Sequence, residues 1–413
     1  MFQEKIKNYK QCNKNEFDLG FDSQKLSYIP GYFSTYINQS KLPNFTLLVS
    51  RNNEIAHLSS QGYSSVEDKT EIKYDSIYRI YSMTKPIVSV AAIKAIEMGL
   101  LRLYDPVAMY FDCFKSQMVL TASGVMEHAK TLINIEQLLT HKSGLSYGFN
   151  TGCAVGNLYA RAGIVHKSNL DLDSFVSEVS RFPLAFHPGE GWRYSLSTDI
   201  LAGVLEKVFG KGIDEILKEI VFDPIDMKET SFFVTGKEKS RIAKIYGKEN
   251  IDDPAIFSSK FNKLDVANIE DIYPSDQTLV KARGGHGLFS TIGDYNKFAA
   301  MLCTGLDKYG HQFISDRMMN FALLNRVDSK YRPLVIDNYE IPGYGYNLLG
   351  RIMVDQSKTL SLTGRNEFGW AGAASTYFWV DRDENLTGVI MAQYLGSTIP
   401  FAEEIKSMVY QAL

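Results

Sequence analysis

One stretch constrains this chain more than any other. Pro86-Ile-Val-Ser-Val-Ala-Ala-Ile-Lys-Ala-Ile-Glu-Met98 runs between Tyr81-Ser-Met-Thr-Lys85 and Gly99. The pattern predicts a helix that is apolar almost all round, and such a helix lies in the middle of a protein with other elements on every side. Ser82 is a good N-cap type, Pro86 is tolerable in a first turn, and Gly99 suits the stop position. The rest of the chain must wrap this helix. Its 413 residues suffice for two or three domain-sized units.

Strand signals cluster near the two ends. Phe45-Thr-Leu-Leu-Val-Ser50 reads as a strand, Arg51-Asn-Asn-Glu54 as a turn, and Ile55-Ala-His-Leu58 as its return. Ser375-Thr-Tyr-Phe-Trp-Val380 and Leu386-Thr-Gly-Val-Ile-Met-Ala392 flank the turn-rich Asp381-Arg-Asp-Glu-Asn385. A first helix is expected over 24–40. A last one has Phe401, Ile405, Met408, Val409 and Ala412 on one face. Between the ends the helical patterns dominate, near 86–100, 134–140, 171–181, 196–209 and 212–220. The expected class is therefore α+β. Residues 1–100 and 283–413 build one antiparallel sheet flanked by helices, and a mostly helical domain, 101–282, is inserted between them.

Charge and cysteine content narrow the function. Lys plus Arg is 44 and Asp plus Glu is 47, a net charge of −3, so no general attraction for nucleic acid is expected. The N-terminus is too polar for a secretion signal, and no uninterrupted apolar run is long enough to span a membrane. Cys12, Cys113, Cys153 and Cys303 lie far apart and read as free thiols of a reducing compartment. A cytoplasmic enzyme is the expectation. The histidines show no metal-ligand spacing, so neither metal nor cofactor is expected.

Three short segments carry chemistry. A spacing of three puts Ser82 and Lys85 on one face of the first helical turn. A hydroxyl is a poor nucleophile until a base takes its proton, and a desolvated lysine can serve. The helix N-terminus adds partial positive charge where an oxyanion would develop. Tyr194 stands at a loop-to-helix junction after Pro188, Gly189 and Gly191, where Ser195, Ser197 or Thr198 can cap the helix. A phenol beside an ammonium becomes a useful base. Trp370-Ala-Gly-Ala373 combines small residues with a strand pattern, which marks close approach of a ligand or another backbone. A competing motif, Gly144-Leu-Ser-Tyr-Gly148, has the form of a nucleophile elbow around Ser146. That elbow must join a strand to a helix, whereas Ile135-Glu-Gln-Leu-Leu-Thr140 before it is helical in pattern.

The order of these features resembles the serine β-lactamase-like hydrolases: class C β-lactamases, D-Ala-D-Ala carboxypeptidases and family VIII carboxylesterases. Leu138-Leu-Thr-His-Lys-Ser-Gly-Leu145, Gly284-Gly-His-Gly-Leu-Phe-Ser-Thr291 and Leu100-Leu-Arg-Leu-Tyr-Asp-Pro-Val107 also look like stretches of that family. The likeness covers roughly residues 25–410. It implies a β-lactamase/transpeptidase-like fold and a nucleophile at Ser82. Lys85 and Tyr194 would transfer protons, the backbone N–H groups of Ser82 and Ala373 would form an oxyanion hole, and Trp370 and Gly372 would adjoin the substrate.

The departures point to a subfamily. In β-lactamases the second motif is Tyr-x-Asn, but here Leu196 holds the third position. The third motif of β-lactamases and carboxypeptidases carries a cation that recognises a substrate carboxylate, but here the residue is Trp370. Tyr194-Ser195 with Asp199, and Trp-x-Gly, look like the family VIII carboxylesterases, with Ala371 in place of their usual Gly. The expected activity is hydrolysis of small neutral esters through an acyl-enzyme, the partner being a small-molecule ester. The alternatives are an amidase, an acyltransferase or a weak β-lactamase or D-aminopeptidase with the same residues, or a non-catalytic binding protein of the same fold.

Overall fold

The most apolar runs from the two ends of the chain pair with each other. The computed structural model describes residues 16–165, 167, 169–249, 264–279, 281–397 and 399–413, without the side chains of residues 16, 17 and 401. Strands β1 (Asn44–Arg51), β2 (Glu54–Ser65) and β3 (Thr70–Glu71) come from one end. Strands β4 (Tyr344–Tyr346), β5 (Arg351–Met353), β6 (Phe368–Gly372), β7 (Thr376–Asp381) and β8 (Leu386–Met391) come from the other. They form one eight-stranded sheet in the order β4-β5-β6-β7-β8-β1-β2-β3, with every pair antiparallel. The two ends meet where Leu47 faces Ile390 and Val49 faces Gly388. Both expected hairpins are present. Asn52 and Asn53 make the first turn with φ of 53° and 60°, the conformation a tight hairpin needs.

The helices that matter to the site are α1 (Ser23–Asn38), α2 (Thr84–Glu97), α3 (Ser197–Phe209), α4 (Ile292–Thr304) and α5 (Phe401–Ala412). One face of the sheet, with Leu47, Val49, Tyr377, Trp379 and Ile390, packs on Leu26, Ile29 and Phe33 of α1 and Ile405 and Val409 of α5. The other face, with Leu48, Phe378, Val380 and Val389, joins the larger core that contains α2, α3 and α4. Phe378 lies 5.1 Å from Tyr295 and 6.2 Å from Phe298, ring to ring. A strand buried on both faces has no polar alternation, which explains the run Phe45–Ser50. The middle of the chain supplies α3 and the helices Ile135–Leu139, Ala154–Ala162, Leu172–Val179 and Ile213–Leu217.

Helix α2 is buried from Thr84 to Ile93, as its all-round apolar pattern requires. It ends as expected. Gly99, at φ 72°, donates to Ile96 O (3.0 Å) and Leu100 donates to Ala95 O (2.9 Å), which closes the last turn. Its start is different. A 3-10 turn, Tyr81–Met83, precedes it, and Met83 is the N-cap with no side-chain bond, so Ser82 is not a cap. Likewise Leu196 precedes α3 without a side-chain bond, and none of Ser195, Ser197 or Thr198 caps it. The hydroxyls of Ser195 and Ser197 instead bond each other at 2.8 Å, which takes them out of reach of the helix N–H groups.

Among the described residues no helix is long and apolar enough to cross a membrane. Cys113 is an exposed free thiol, Cys153 and Cys303 are buried ones, and Cys12 lies outside the described residues. In the centre of the sheet, a Cβ on Gly388 would stand 2.1 Å from Cη2 of Trp379. Gly388→Ala is therefore expected to destabilise the fold by about 1–3 kcal/mol, as overpacking does. A urea unfolding curve with an unchanged midpoint would contradict this packing.

Candidate active site

The backbone enters the site under strain. Tyr81 has a φ of 45°, uncommon for a bulky residue, with its ring held 4.9 Å from that of Tyr273. Ser82 follows on the 3-10 turn, and Lys85 comes one turn later. Lys85 is only 2% exposed. An ammonium out of water needs acceptors for its three N–H donors. Nζ donates to Ser82 Oγ (3.2 Å), Tyr147 OH (2.9 Å) and Gly285 O (2.7 Å). It also lies 4.8 Å from the ring centre of Tyr194 and 5.2 Å from that of Tyr147.

Two glycines let the third acceptor reach this position. A Cβ on Gly284 would stand 2.1 Å from Thr198 O of α3, and one on Gly285 would stand 2.4 Å from Asp199 Oδ2 and 2.9 Å from Tyr147 OH. The segment is thus wedged between α3 and Lys85. Asp199 Oδ1 accepts the Gly285 N–H at 2.8 Å, while Oδ2 has no hydrogen-bond partner among the described residues. Burial pushes the Asp199 carboxyl above its ordinary pKa, and the charge of Lys85 and the Gly285 N–H pull it part of the way back. Asp199 fixes the carbonyl that in turn fixes Lys85.

Tyr194 sits across the cavity wall from Lys85 in a ring of aromatic groups. Its ring lies 5.2 Å from Trp370, 5.2 Å from Tyr147 and 4.9 Å from His141. Trp370 Nε1 donates to Tyr194 OH at 3.3 Å. The indole N–H is therefore spent on Tyr194. His141 is buried, and its Nδ1 and Ser195 Oγ lie 3.1 Å apart. Burial first, and the charge of Lys85 second, hold its pKa well below 6.5.

The segment Trp370–Ala373 completes the wall. Strand β6 is interior by order, but its pairing with β5 stops at Gly369 opposite Arg351. From Trp370 to Gly372 the recorded pairing among the described residues is with β7 alone, so this part of β6 turns a free edge to the cavity. A Cβ on Gly372 would stand 2.3 Å from Ile80 O. Glycine thus lets the strand end lie against the backbone that leads into Ser82. The cavity, about 330 Å³, is lined by Ser82, Tyr194, Trp370, Gly372 and Ala373, with Tyr147 beside them. Lys85 lies behind this wall.

Five of the six residues singled out in the sequence line one cavity, and the sixth is bonded to the serine. Tyr147 was missed. The sequence signal was its place directly after the Leu138–Leu145 motif, inside the G-x-S-x-G segment that drew notice to Ser146. Ser146 itself is fully buried. It donates to Tyr147 O (3.2 Å) and accepts from Asn150 Nδ2 (3.2 Å), and no strand-to-helix elbow surrounds it. Leu196 is fully buried too.

A folded His141 that resists protonation costs stability in acid. The unfolded imidazole binds a proton as pH falls through 6.5 and the folded one does not. Stability is thus full above 6.5 and falls below it. His141→Asn suits the positive φ of 57° at this site and removes the titration. Between about pH 7.5 and about pH 5.5 the wild type should lose more unfolding free energy than the variant. Equal losses in urea titrations would contradict a neutral buried His141.

The sequence profile of the Beta-lactamase family matches residues 29–410. Esterase EstB of Burkholderia gladioli is 24% identical over 397 residues, covering 92% of this chain and 93% of that protein. The lovastatin esterase of Penicillium rubens is 25% identical over 336 residues, covering 78% and 80%. Among solved structures, EstCE1, a hydrolase with promiscuous acyltransferase activity, superimposes with a TM-score of 0.79 at 21% identity, covering 94% of this chain and 99% of that one. That last likeness bears on the fold. The profile spans nearly the whole chain, and the chain belongs to the beta-lactamase family.

Proposed function

We propose that this chain is a serine carboxylesterase, similar to the family VIII carboxylesterases, that hydrolyses small neutral esters through an acyl-enzyme on Ser82. The observation that carries this reading is the 3.2 Å contact between Lys85 Nζ and Ser82 Oγ, behind the wall of a largely apolar cavity. Ser82 Oγ attacks the ester carbonyl carbon and gives up its proton to the oxygen of Tyr194, which acts as the base with the Lys85 charge 4.8 Å from its ring centre. The carbonyl oxygen, now anionic, takes hydrogen bonds from the backbone N–H groups of Ser82 and Ala373. As the tetrahedral intermediate collapses, the bond to the alcohol oxygen breaks and the alcohol leaves with the proton. A water then repeats the sequence on the acyl-Ser82 ester and releases the acid. Tyr147 acts as a positioning residue, since its hydroxyl occupies one donor of Lys85.

The same acyl-enzyme would pass to an alcohol in place of water. EstCE1, described as having promiscuous acyltransferase activity, is the neighbour that favours this second outcome. β-Lactam hydrolysis is disfavoured. Leu196 is buried and apolar, and the Trp370 N–H is committed to Tyr194, so neither offers a β-lactam amide or carboxylate a partner. A missing charge-assisted hydrogen bond forfeits about 1.5–3 kcal/mol, one to two decades of affinity.

Three outcomes are expected. Lys85→Ala and Tyr194→Phe should each cost several orders of magnitude in kcat/KM for a chromogenic ester, and the double variant little more. Additive losses would count against a shared proton path. Neutral esters of short and medium acyl chains should be turned over far better than penicillins or D-Ala-D-Ala peptides. Trp370→Lys should weaken ester hydrolysis, by removing the bond to Tyr194, without creating a good β-lactamase. A higher kcat/KM for a penicillin than for every simple ester tested would sink this reading.

A further inference from the structure

The cavity does not end at the nucleophile. Side chains alternate across a strand, so Arg351, opposite Gly369, lies on the sheet face away from Trp370, together with Tyr377. Both Arg351 and Trp370 line the cavity. The cavity therefore bends round the free edge Trp370–Gly372, with Ser82 on one side and Arg351 on the other. Ile341, Ile399 and Pro400 are apolar parts of the cavity lining.

Arg351 is held in place, and its ion pair with Glu403 is a long one. Its side chain is 7% exposed. Nη2 donates to Tyr377 OH at 2.6 Å, and the guanidinium stands 4.5 Å and 4.8 Å from the ring centres of Tyr344 and Tyr377. The buried carboxylate nearby is already committed. Glu367 pairs with Lys406 at 3.1 Å, both fully buried, and accepts from Tyr377 OH at 3.0 Å. Glu403, in the first turn of α5, forms an ion pair with Nη1 at 3.6 Å, without a hydrogen bond. Nε is buried with no hydrogen-bond partner among the described residues. A guanidinium is always charged, and it matches a carboxylate with two parallel donors.

We propose that Arg351 is a specificity-determining residue that receives a carboxylate at the end of the substrate remote from the scissile bond. Beside neutral esters, the substrate class then includes the half-esters of aliphatic dicarboxylic acids. Their methylene chain lies on the apolar wall and their free carboxylate meets Nη1. Neutral esters use the wall alone. Glu403 is the internal competitor, since it stands beside Nη1 and repels an incoming anion. This inference rests on the reading of Ser82 as the nucleophile.

The test compares the mono-4-nitrophenyl ester of adipic acid with 4-nitrophenyl hexanoate, a pair of equal acyl length. The readout is the ratio of their kcat/KM values, in wild type, Arg351→Gln and Glu403→Gln, with thermal unfolding of each. Arg351→Gln should lower the half-ester to neutral-ester ratio by about tenfold or more, the worth of a charge-assisted hydrogen bond. Glu403→Gln, a change at a partly exposed helix end, should raise the same ratio several-fold. If Arg351→Gln fails to fold, the Glu403→Gln ratio decides. A ratio that stays at the wild-type value in the folded variants overturns the inference, as does a wild type that turns over the neutral ester and not the half-ester. A wild type that turns over neither ester overturns the serine-esterase reading beneath it.

Discussion

The rest of this structure depends on one buried ammonium. Among the described residues no carboxylate is in direct contact with Lys85, and its three donors are met by Ser82 Oγ, Tyr147 OH and Gly285 O. Those acceptors come from three distant parts of the chain. An unmet donor on a buried cation costs several kcal/mol, so the three segments must be assembled together or not at all. That requirement ties the start of α2, the loop after Ile135–Leu139 and the loop before α4 into one unit. It also accounts for Gly284 and Gly285, which pass through a gap with no room for a Cβ. Asp199 belongs to the same unit, because it holds the Gly285 N–H and contributes the nearby negative charge.

The sheet does a different job. Its strands position a wall of the cavity rather than Lys85 or Tyr194. Because β5 leaves β6 after Gly369, the stretch Trp370–Gly372 has one edge unpaired among the described residues and can face a ligand. Because Gly372 lies against Ile80 O, that edge is held next to the turn that carries Ser82. The aromatic groups His141, Tyr147 and Trp370 pack round Tyr194 beside Lys85, and in such surroundings hydrogen bonds and charges act more strongly than in water.

What could be read in the sequence was local or strongly periodic. The spacing of Ser82 and Lys85, the all-apolar α2 and the hairpin around Asn52-Asn53 depend on neighbours a few residues away, and they match the structure. The sheet made from both ends follows from where the strand signals lie. Features set by distant contacts were not legible. Tyr147 carries no periodic signal, and its importance arises only when Lys85 arrives from elsewhere. Arg351 lies on a three-residue strand, too short to show alternation. Helix α4 and the helix Ala154–Ala162 were passed over, though both are capped by side chains, Thr291 and Cys153. The expected caps at Ser82 and Ser195 failed for one reason. In the folded protein Lys85 claims the first hydroxyl, and Ser197 and His141 claim the second.

The central claim is that Ser82 is the nucleophile and that Lys85 activates it. It is tested most directly by treating the protein with a serine-directed fluorophosphonate and mapping the adduct by peptide mass spectrometry. The account predicts a single stoichiometric adduct on Ser82, formed much more slowly in Lys85→Ala. An adduct on Ser146, or on any other serine with Ser82 left unmodified, would contradict it.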